Sequence, residues 1–352
     1  MNPVQPVVVI GAGIAGLCAA GELVRAGRRV LVVEKSRGIG GRMATRRVGG
    51  AVCDHGAQFF TVRGRAFGGL VADAHAAGAV ETWCTGFGRA TSPDGGVEPA
   101  ADGHSRWRGV RGMTDLPKWL AARLAADGHG EPCLVTTNAK VAGIGTAGDR
   151  VIVDIEAEGR SATIEAAAAI VTAPVPQALD LFAAGNAALD AEARAALETV
   201  AYDPCFALML ALDRPSLVPP PGAIQFTADS GGPLAWVADN MQKGISPVPA
   251  LTIHATGAFS RTHFDAPPER VIAALLDAAR PWIDGDPATA VVDRSLQRWK
   301  FALPTTVLDD PLVVAVQDPP VVCCGDAFGG PRVEGAASSG LAAGRWLARR
   351  LE

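Results

Sequence analysis

The sequence predicts an α/β fold that combines a doubly wound, Rossmann-like unit with a second unit built on its own sheet. Three observations lead to this prediction. They are a strand–glycine turn–helix–strand pattern at the N-terminus, a run of strand candidates between residues 207 and 255, and a C-terminal strand and helix that rejoin the first unit. The strand run is spaced for an antiparallel sheet rather than for βαβ units. With 352 residues, the chain is longer than one hydrophobic core usually holds.

The first 46 residues contain a dinucleotide-binding fingerprint in its full βαβ context. An apolar run at 7–10 precedes a helical stretch, and a second apolar run at 30–33 ends at Glu34. Glycines in the intervening turn allow a tight turn, close backbone approach to a pyrophosphate and close helix packing, and the helix N-terminus offers free N–H groups. Glu34 is expected to accept hydrogen bonds from a ribose diol. The turn consists of Gly11, Ala12, Gly13, Ile14, Ala15 and Gly16.

The fingerprint alone serves NAD, NADP and FAD, and the residues after the second strand favour FAD. Gly40, Gly41 and Arg42 follow it closely. An extended FAD needs close backbone approach there because its pyrophosphate passes the end of this strand, and Arg42 could form charge-assisted hydrogen bonds to it. Lys35 and Met43 are included in this predicted site. A second G-x-G-x-x-G match, at 143–148, precedes a strand and is therefore predicted to be a hairpin.

Three further segments are predicted to complete the cofactor site. Small residues at positions 56 and 57, shortly before two aromatics, would let the backbone approach a flat ring. The backbone at Val141 would pair with the adenine edge. Asp326, after Gly325, is expected to bind a ribityl hydroxyl. The N–H groups of residues 334–336 are expected to face the flavin pyrimidine, where negative charge accumulates on reduction. The residues assigned to the ring are Gly56, Ala57, Gln58 and Phe59, and those of the C-terminal loop are Arg332, Val333, Glu334, Gly335 and Ala336.

Composition argues against several classes of protein. A net charge of −4 with mixed signs leaves no basic footprint for nucleic acid or anionic lipid. Seven cysteines without a C-x-x-C pair indicate a reduced, cytoplasmic protein. The apolar stretch 7–24 imitates a signal peptide, but it carries the fingerprint and Glu22 interrupts it. We expect no export, no membrane, no bound metal, and a monomer or weak homodimer.

Motifs along the whole chain resemble a known family. The N-terminal FAD segment with Gly40-Gly41-Arg42 resembles the flavin amine oxidase and phytoene desaturase group. Within that group, finer features resemble the renalases, and the bacterial members best. These features include Asp54 with residues 56–61, the Gly112-Met113 turn, Pro174-Val175-Pro176, Asp239-Asn240, Ile253-His254-Ala255-Thr256 and Gln297-Arg298-Trp299.

The resemblance implies a fold similar to that of p-hydroxybenzoate hydroxylase, with a doubly wound FAD domain and a mixed-sheet substrate domain that roofs the flavin. We assign residues 1–80, 106–180 and 300–352 to the FAD domain. Residues 81–105 and 181–299 are assigned to the substrate domain.

The resemblance also implies a reaction. Renalases oxidise 2- and 6-dihydro isomers of NAD(P)H to NAD(P)+ by hydride transfer to flavin N5, and the flavin then reduces O2 to H2O2. Family positions imply that Asn240 and His254 hydrogen-bond the nicotinamide carboxamide or ribose. The cavity residues implied in this way are Gln58, Tyr202, Asn240, His254 and Trp299. Hydride transfer needs close stacking more than an acid or base, and the chain contains no recognisable nucleophile–base motif.

Other activities on the same scaffold remain open. Amine oxidases commonly hold the amine between two aromatic rings, frequently tyrosines, and this chain has the single tyrosine Tyr202. A desaturase or a mutase would also fit, as would a non-catalytic protein in which FAD is structural. No cysteine context indicates attachment to the flavin, so the FAD is predicted to be non-covalent.

Overall fold

The computed structural model describes residues 5–92, 96–127, 133–227 and 230–352. Its strands are β1 (Val7–Ile10), β2 (Val30–Val33), β3 (Thr45–Val48), β4 (Ala51–Asp54), β5 (Val80–Ala90), β6 (Val97–Gly109), β7 (Leu134–Thr136), β8 (Ala139–Ala147), β9 (Arg150–Ala157), β10 (Arg160–Ala166), β11 (Ala168–Val171), β12 (Tyr202–Leu212), β13 (Ala223–Phe226), β14 (Leu234–Asp239), β15 (Ala250–Ala255), β16 (Val291–Pro304), β17 (Val313–Val316) and β18 (Val321–Cys323). The helices are α1 (Ile14–Arg25), α2 (Arg65–Ala76), α3 (Asp115–Asp127), α4 (Val175–Ala184), α5 (Ala191–Glu198), α6 (Gly257–Thr262), α7 (Pro268–Ala279), α8 (Pro287–Ala290) and α9 (Arg332–Arg350).

A six-stranded nucleotide sheet has the order β17-β18-β11-β1-β2-β7, and all of its pairs are parallel except β17–β18. Val7 and Val9 of β1 face a core shared with α1, α3 and α9, whereas Val8 and Ile10 face a core shared with β8, β9 and α4. Burial on both faces explains why β1 is a continuous apolar run. The apolar stretch 7–24 is therefore a buried strand and helix, as predicted. No helix in the described ranges is long and apolar enough to cross a bilayer.

A seven-stranded sheet, the roof sheet, has the order β16-β12-β15-β14-β13-β5-β6. The predicted antiparallel run is confirmed for β12 to β15, and the parallel pairing of β13 with β5 makes the sheet mixed. Alternate residues of each strand, such as Leu208 and Leu210, pack in an apolar core with α7 on the back face. Met209 and Ala211 point the other way, onto the β3–β4 hairpin. The face that carries these two residues, the front face of the roof sheet, therefore packs on the β3–β4 hairpin.

The boundaries between elements differ from the sequence expectations in two places. The proposed domain limits 105/106 and 299/300 fall inside β6 and β16, which are long strands of 13 and 14 residues. The division into two domains remains a prediction. The last helix begins at Arg332, so residues 332–336, which the sequence assigned to a C-terminal loop, form its first turn. Gly335 lies in this first turn, close to the backbone of Gly330. An ideal Cβ on Gly335 would lie 2.0 Å from the Gly330 carbonyl oxygen, so this position of the helix requires glycine.

The second glycine match at 143–148 lies in the antiparallel hairpin of β8 and β9, as predicted. Its glycines serve packing against the end of α4. An ideal Cβ on Gly145 would lie 2.3 Å from the Gly185 carbonyl oxygen, and one on Gly185 would lie 2.3 Å from the Ile144 carbonyl carbon. The two backbones can approach this closely only without side chains.

A buried ion pair joins the β3–β4 hairpin to the turn after β14 of the roof sheet. Lys243, in the turn after β14, donates to Asp54 Oδ2 over 2.6 Å, and both side chains are fully buried. Asp54 ends β4, and its Oδ1 accepts hydrogen bonds from the Met113 N–H and the Thr45 hydroxyl. Burial lowers the pKa of Lys243, and the adjacent Asp54 carboxylate opposes that shift.

We expect Lys243→Met to lower the free energy of unfolding by about 3–5 kcal/mol, because it leaves the Asp54 carboxylate buried without its cation. Urea denaturation of the holoprotein measures this change. The matched control is Arg294→Met. It breaks an exposed ion pair with Glu269, in which the two side chains are 44% and 73% exposed, and should change stability little. Equal losses of unfolding free energy in the two variants would contradict the conclusion that the buried Lys243–Asp54 pair stabilises the fold.

Candidate active site

A continuous cavity of about 1970 Å³ extends from the N-terminus of α1 to the front face of the roof sheet. Ordinary small-molecule pockets have volumes of roughly 300–1,000 Å³, so this cavity has room for an extended cofactor and a second molecule.

The nucleotide end of the cavity is built from the fingerprint. An ideal Cβ on Gly16 would lie 2.0 Å from the Gly11 carbonyl oxygen, so Gly16 is required for packing. A Cβ on Gly13 would meet no atom within 4 Å, and Gly13 lines the cavity, so the open space above it is available to a ligand. Glu34 is buried, and its two carboxylate oxygens accept the N–H groups of Ala12 and Ser36 over 2.8 Å each.

Most residues predicted to bind the cofactor line this one cavity. They are Gly11, Gly13, Ile14, Ala15, Glu34, Lys35, Gly41, Arg42, Met43, Gly56, Ala57, Phe59, Val141, Gly325, Asp326, Arg332, Val333, Glu334, Gly335 and Ala336. The predicted residues Ala12, Gly16 and Gln58 are not part of its wall.

Arg42 and Asp326, which were expected to bind different parts of the cofactor, form a bidentate ion pair with two N–O distances of 2.6 Å. Arg42 also donates to the carbonyl oxygens of Phe301 and Ala302 in β16. Its guanidinium therefore links the turn after β2, the loop after β18 and the roof sheet in one cluster at the cavity wall.

One part of the cavity wall is the short segment 55–57, which follows β4. Trp299 of β16 donates from Nε1 to the His55 carbonyl over 2.8 Å, and the two rings stack with centroids 5.3 Å apart. Gln58 donates from Nε2 to the Asp54 and Gly56 carbonyls, which folds the segment back on itself. The side-chain atoms His55 Nδ1 and Gln58 Oε1 are buried without a hydrogen-bond partner.

A transverse row of side chains crosses the front face of the roof sheet. Strand register aligns Gln297 with Ala207, Ala207 with His254, His254 with Trp236, and Trp236 with Gln225. All of these except the small, buried Ala207 line the cavity. Sequence reasoning identified His254 but missed Gln225, Trp236 and Gln297 as site residues. Their two-residue alternation with core positions is visible in the sequence, but the register that aligns them is not.

His254 and His55 are neutral at physiological pH. Desolvation is the main cause that lowers the pKa of each to about 4, and the Arg46 charge contributes at His55. At His254, the charges of His55 and Lys243 add to the effect. Gln58 Nε2 lies 3.4 Å from His254 Nε2. A neutral imidazole in this position can form hydrogen bonds to a ligand without presenting a positive charge.

Three of the five predicted substrate-contacting residues, Gln58, Tyr202 and Asn240, lie outside the cavity wall, and these predictions need correction. Asn240 is fully buried in the turn after β14, where its Nδ2 donates to Thr252 Oγ1 over 3.0 Å. Thr252 is in register with Met209, so this contact lies between the roof sheet and the β3–β4 hairpin. The Tyr202 ring faces Phe301 and the Arg42 guanidinium, and its hydroxyl accepts the Val175 N–H over 3.4 Å. Burial raises the pKa of Tyr202 to about 12. Gln58 likewise touches His254 from behind the wall.

The residues present fit an FAD. The cavity is long enough, the space above Gly13 admits a pyrophosphate, and Glu34 retains lone pairs for a ribose. Near segment 55–57, the unpartnered polar atoms of His55 and Gln58 are compatible with a polar ligand. Fold and site together therefore define a flavin-dependent oxidoreductase.

Two family models match the chain. A NAD(P)-binding Rossmann-like domain matches residues 9–74, and the flavin-containing amine oxidoreductases match residues 99–345. The chain belongs to the flavin-containing amine oxidoreductase family, and its cofactor is FAD.

Individual relatives are similar over short segments. A phytoene dehydrogenase of Streptomyces griseus is 48% identical over 76 residues, which cover 22% of this chain and 14% of that protein. A putrescine oxidase of Kocuria rosea is 49% identical over 57 residues, which cover 16% of this chain and 12% of that protein. The structure of a wild-type putrescine oxidase with putrescine has a TM-score of 0.69 and 14% identity over 99% of this chain and 98% of that one. This last likeness shows the fold alone.

We expect the free energy of unfolding to decrease as the pH falls from 6.5 to about 4. In this window the unfolded chain binds more protons than the folded one, because both buried histidines have pKa values near 4 in the folded state. The stabilisation is complete above pH 6.5 and is lost as the pH approaches 4. Its size is on the order of 3 kcal/mol for each histidine.

Urea denaturation across this pH range measures the effect. Carboxylates also titrate near its lower end, so the variant His254→Gln is compared with His104→Gln, which changes an exposed histidine. The pH dependence should be smaller in His254→Gln only. An unchanged pH dependence in both variants would contradict the neutral, buried state of His254.

Proposed function

We propose that this protein is a renalase-type FAD-dependent oxidase. It oxidises 2- or 6-dihydro isomers of NAD(P)H to NAD(P)+ and passes the electrons to O2. The observation that carries this proposal is the transverse row of the roof sheet. It presents two amides, a neutral imidazole and a tryptophan ring to the cavity, and Trp299 lies in the neighbouring row. These groups match a flat ring that bears a carboxamide.

The charges at the roof end also favour this substrate over an amine. The roof strands contribute Asp102 and Asp203 to the described cavity wall, and each is paired with an arginine, Arg106 and Arg261 respectively. A protonated amine would therefore find no free carboxylate on these strands.

Aromatic rings that could enclose an amine are already in contact with a cation. The Arg106 guanidinium lies 5.6 Å from the ring centre of Phe59 and 5.9 Å from that of Phe87. A bound amine would have to compete with this arginine for the same aromatic groups. Amine oxidation remains the second candidate because members of the matched family include amine oxidases.

The side chains of the chain bind and orient the substrate in this mechanism. His254 hydrogen-bonds the carboxamide, which fixes the rotation of the ring, and Trp236 and Trp299 exclude water from its faces. The two glutamines lie two strands to either side of His254 and contact polar groups further along the substrate. The chemistry supplied by bound FAD is acceptance of a hydride at N5 and transfer of the electrons to O2 to give H2O2. The roof residues would favour the reaction by holding the substrate ring in one orientation toward the bound cofactor.

Among the described residues, Cys205 is the cysteine that lines the cavity. Burial raises the pKa of its thiol to about 12. A protonated thiol is a poor nucleophile, which agrees with the prediction of non-covalent FAD. Location in the cytoplasm and a monomeric or weakly dimeric state also remain predictions.

Anaerobic mixing of the purified flavoprotein with 2- or 6-dihydro-NAD, and separately with putrescine and other amines, tests the proposal. We expect the visible flavin band to bleach with the dihydro isomers alone, and H2O2 to form when O2 is admitted. Bleaching by amines alone would overturn the proposal in favour of amine oxidation. Bleaching by none of them would favour a desaturase, a mutase or a structural flavin.

Substitution of His254 tests the row directly. We expect His254→Ala to slow flavin reduction by dihydro-NAD about 10- to 100-fold, because it removes a hydrogen bond to the substrate and leaves a polar group unpaired. Anaerobic stopped-flow absorbance measures the rate. His104→Ala, at an exposed position, should retain the parent rate. A His254→Ala variant with bound FAD and the parent rate would show that the row does not hold the substrate.

A further inference from the structure

We propose that Arg46 recognises the phosphate on the nicotinamide side of the substrate and thereby selects phosphorylated dihydronicotinamides over the uncharged riboside. This inference rests on the proposed function and names the residue that supplies anion specificity at the same site.

Arg46 is held in one orientation at the cavity wall. It lies on β3 opposite Cys53, whose side chain packs against the roof sheet. Its Nη2 donates to Gln297 Oε1 over 2.8 Å, and its Nη1 donates to Ser295 Oγ over 3.2 Å. A guanidinium has five N–H donors in a planar fork, so most of them remain available to a ligand.

The charge of Arg46 is not neutralised by a neighbouring side chain. Both of its partners are neutral, and no carboxylate of the described residues lies within 4.0 Å of its guanidinium nitrogens. Arg42 and Arg106, which also line the cavity, are each paired with an aspartate. A half-buried, oriented arginine with neutral partners is a suitable site for a phosphate, which it binds through charge-assisted hydrogen bonds.

The location of Arg46 points to the substrate rather than to FAD. Its partner Gln297 is the end member of the transverse row, and its charge acts on His55, which stacks on Trp299. It is therefore next to the surface proposed to hold the nicotinamide. In a dihydronicotinamide nucleotide, a single ribose separates the ring from the first phosphate, so that phosphate would lie beside the row.

Three probes that differ in phosphate content test the inference. They are the dihydro isomers of nicotinamide riboside, nicotinamide mononucleotide and NAD. Anaerobic stopped-flow absorbance gives the second-order rate constant of flavin reduction for each. For Arg46→Met we expect a loss of about 10- to 100-fold with the mononucleotide and the dinucleotide, and little change with the riboside.

Two further variants separate recognition from structural support. Arg46→Lys keeps the charge without the planar fork and should recover part of the lost rate. Arg294→Met, whose exposed arginine lies outside the cavity wall, should behave as the parent with all three probes. The ratio of flavin to protein absorbance should be unchanged in every variant, because FAD contacts other residues.

Equal losses with all three probes, or no loss with any, would overturn the assignment of Arg46. A loss confined to the dinucleotide would also overturn it, since the arginine would then contact the adenosine side. Binding of inorganic pyrophosphate to the oxidised holoprotein, followed by flavin absorbance and calorimetry, is independent of turnover. If no probe reduces the parent enzyme, the proposed function fails, whereas weaker pyrophosphate binding by Arg46→Met would still support the anion site.

Discussion

The carboxylate of Asp54 is the point at which the nucleotide unit and the roof sheet are joined. It accepts hydrogen bonds from Thr45, Met113 and Lys243, which come from three separate parts of the chain. A buried charge is tolerated only when such partners replace the water it has lost. Segment 55–57 follows Asp54 directly. The distance between that segment and the row on the roof sheet therefore depends on this ion pair.

The two ends of the cavity are built by different means. The nucleotide end uses backbone N–H groups, glycines and one buried glutamate, so it depends on local chain geometry. The roof end uses side chains at alternate positions of long strands, and the intervening residues form the apolar core with α7. The alternation of polar and apolar residues along each strand therefore stabilises the roof sheet on one face and places the polar groups in a row on the other.

Local signals were sufficient for much of this fold. The pattern β1-α1-β2, the antiparallel run from β12 to β15 and the hairpin at 143–148 could be predicted because each depends on residues close in sequence. The choice of FAD as the cofactor could be predicted for the same reason, from the glycines and the arginine that follow β2 closely. The site at the roof could be predicted only in part. Register between strands separated by tens of residues is set by packing of the whole sheet. The alternation around Trp236 and Gln225 is therefore visible in the sequence, but their alignment with His254 is not.

The errors have a related cause. Asn240 follows a strand end and has a side chain that could bind a carboxamide, but that side chain is fully buried and hydrogen-bonded to Thr252. The environment of Arg46 could not be predicted from the sequence either. Whether an arginine is neutralised depends on which residues face it across the interface between β3 and β16, and these come from opposite ends of the chain.

The position of β16 at the edge of the roof sheet has an evolutionary consequence. An edge strand is hydrogen-bonded on one side only, here to β12, so substitutions or bulges in it disturb a single set of backbone pairs. Gln297 and Trp299 are carried by this strand, and their partners in the sheet interior are the small residues Ala207 and Cys205. Within such a scaffold, a new substrate preference can arise by changing one peripheral strand while the FAD site and the sheet interior are retained.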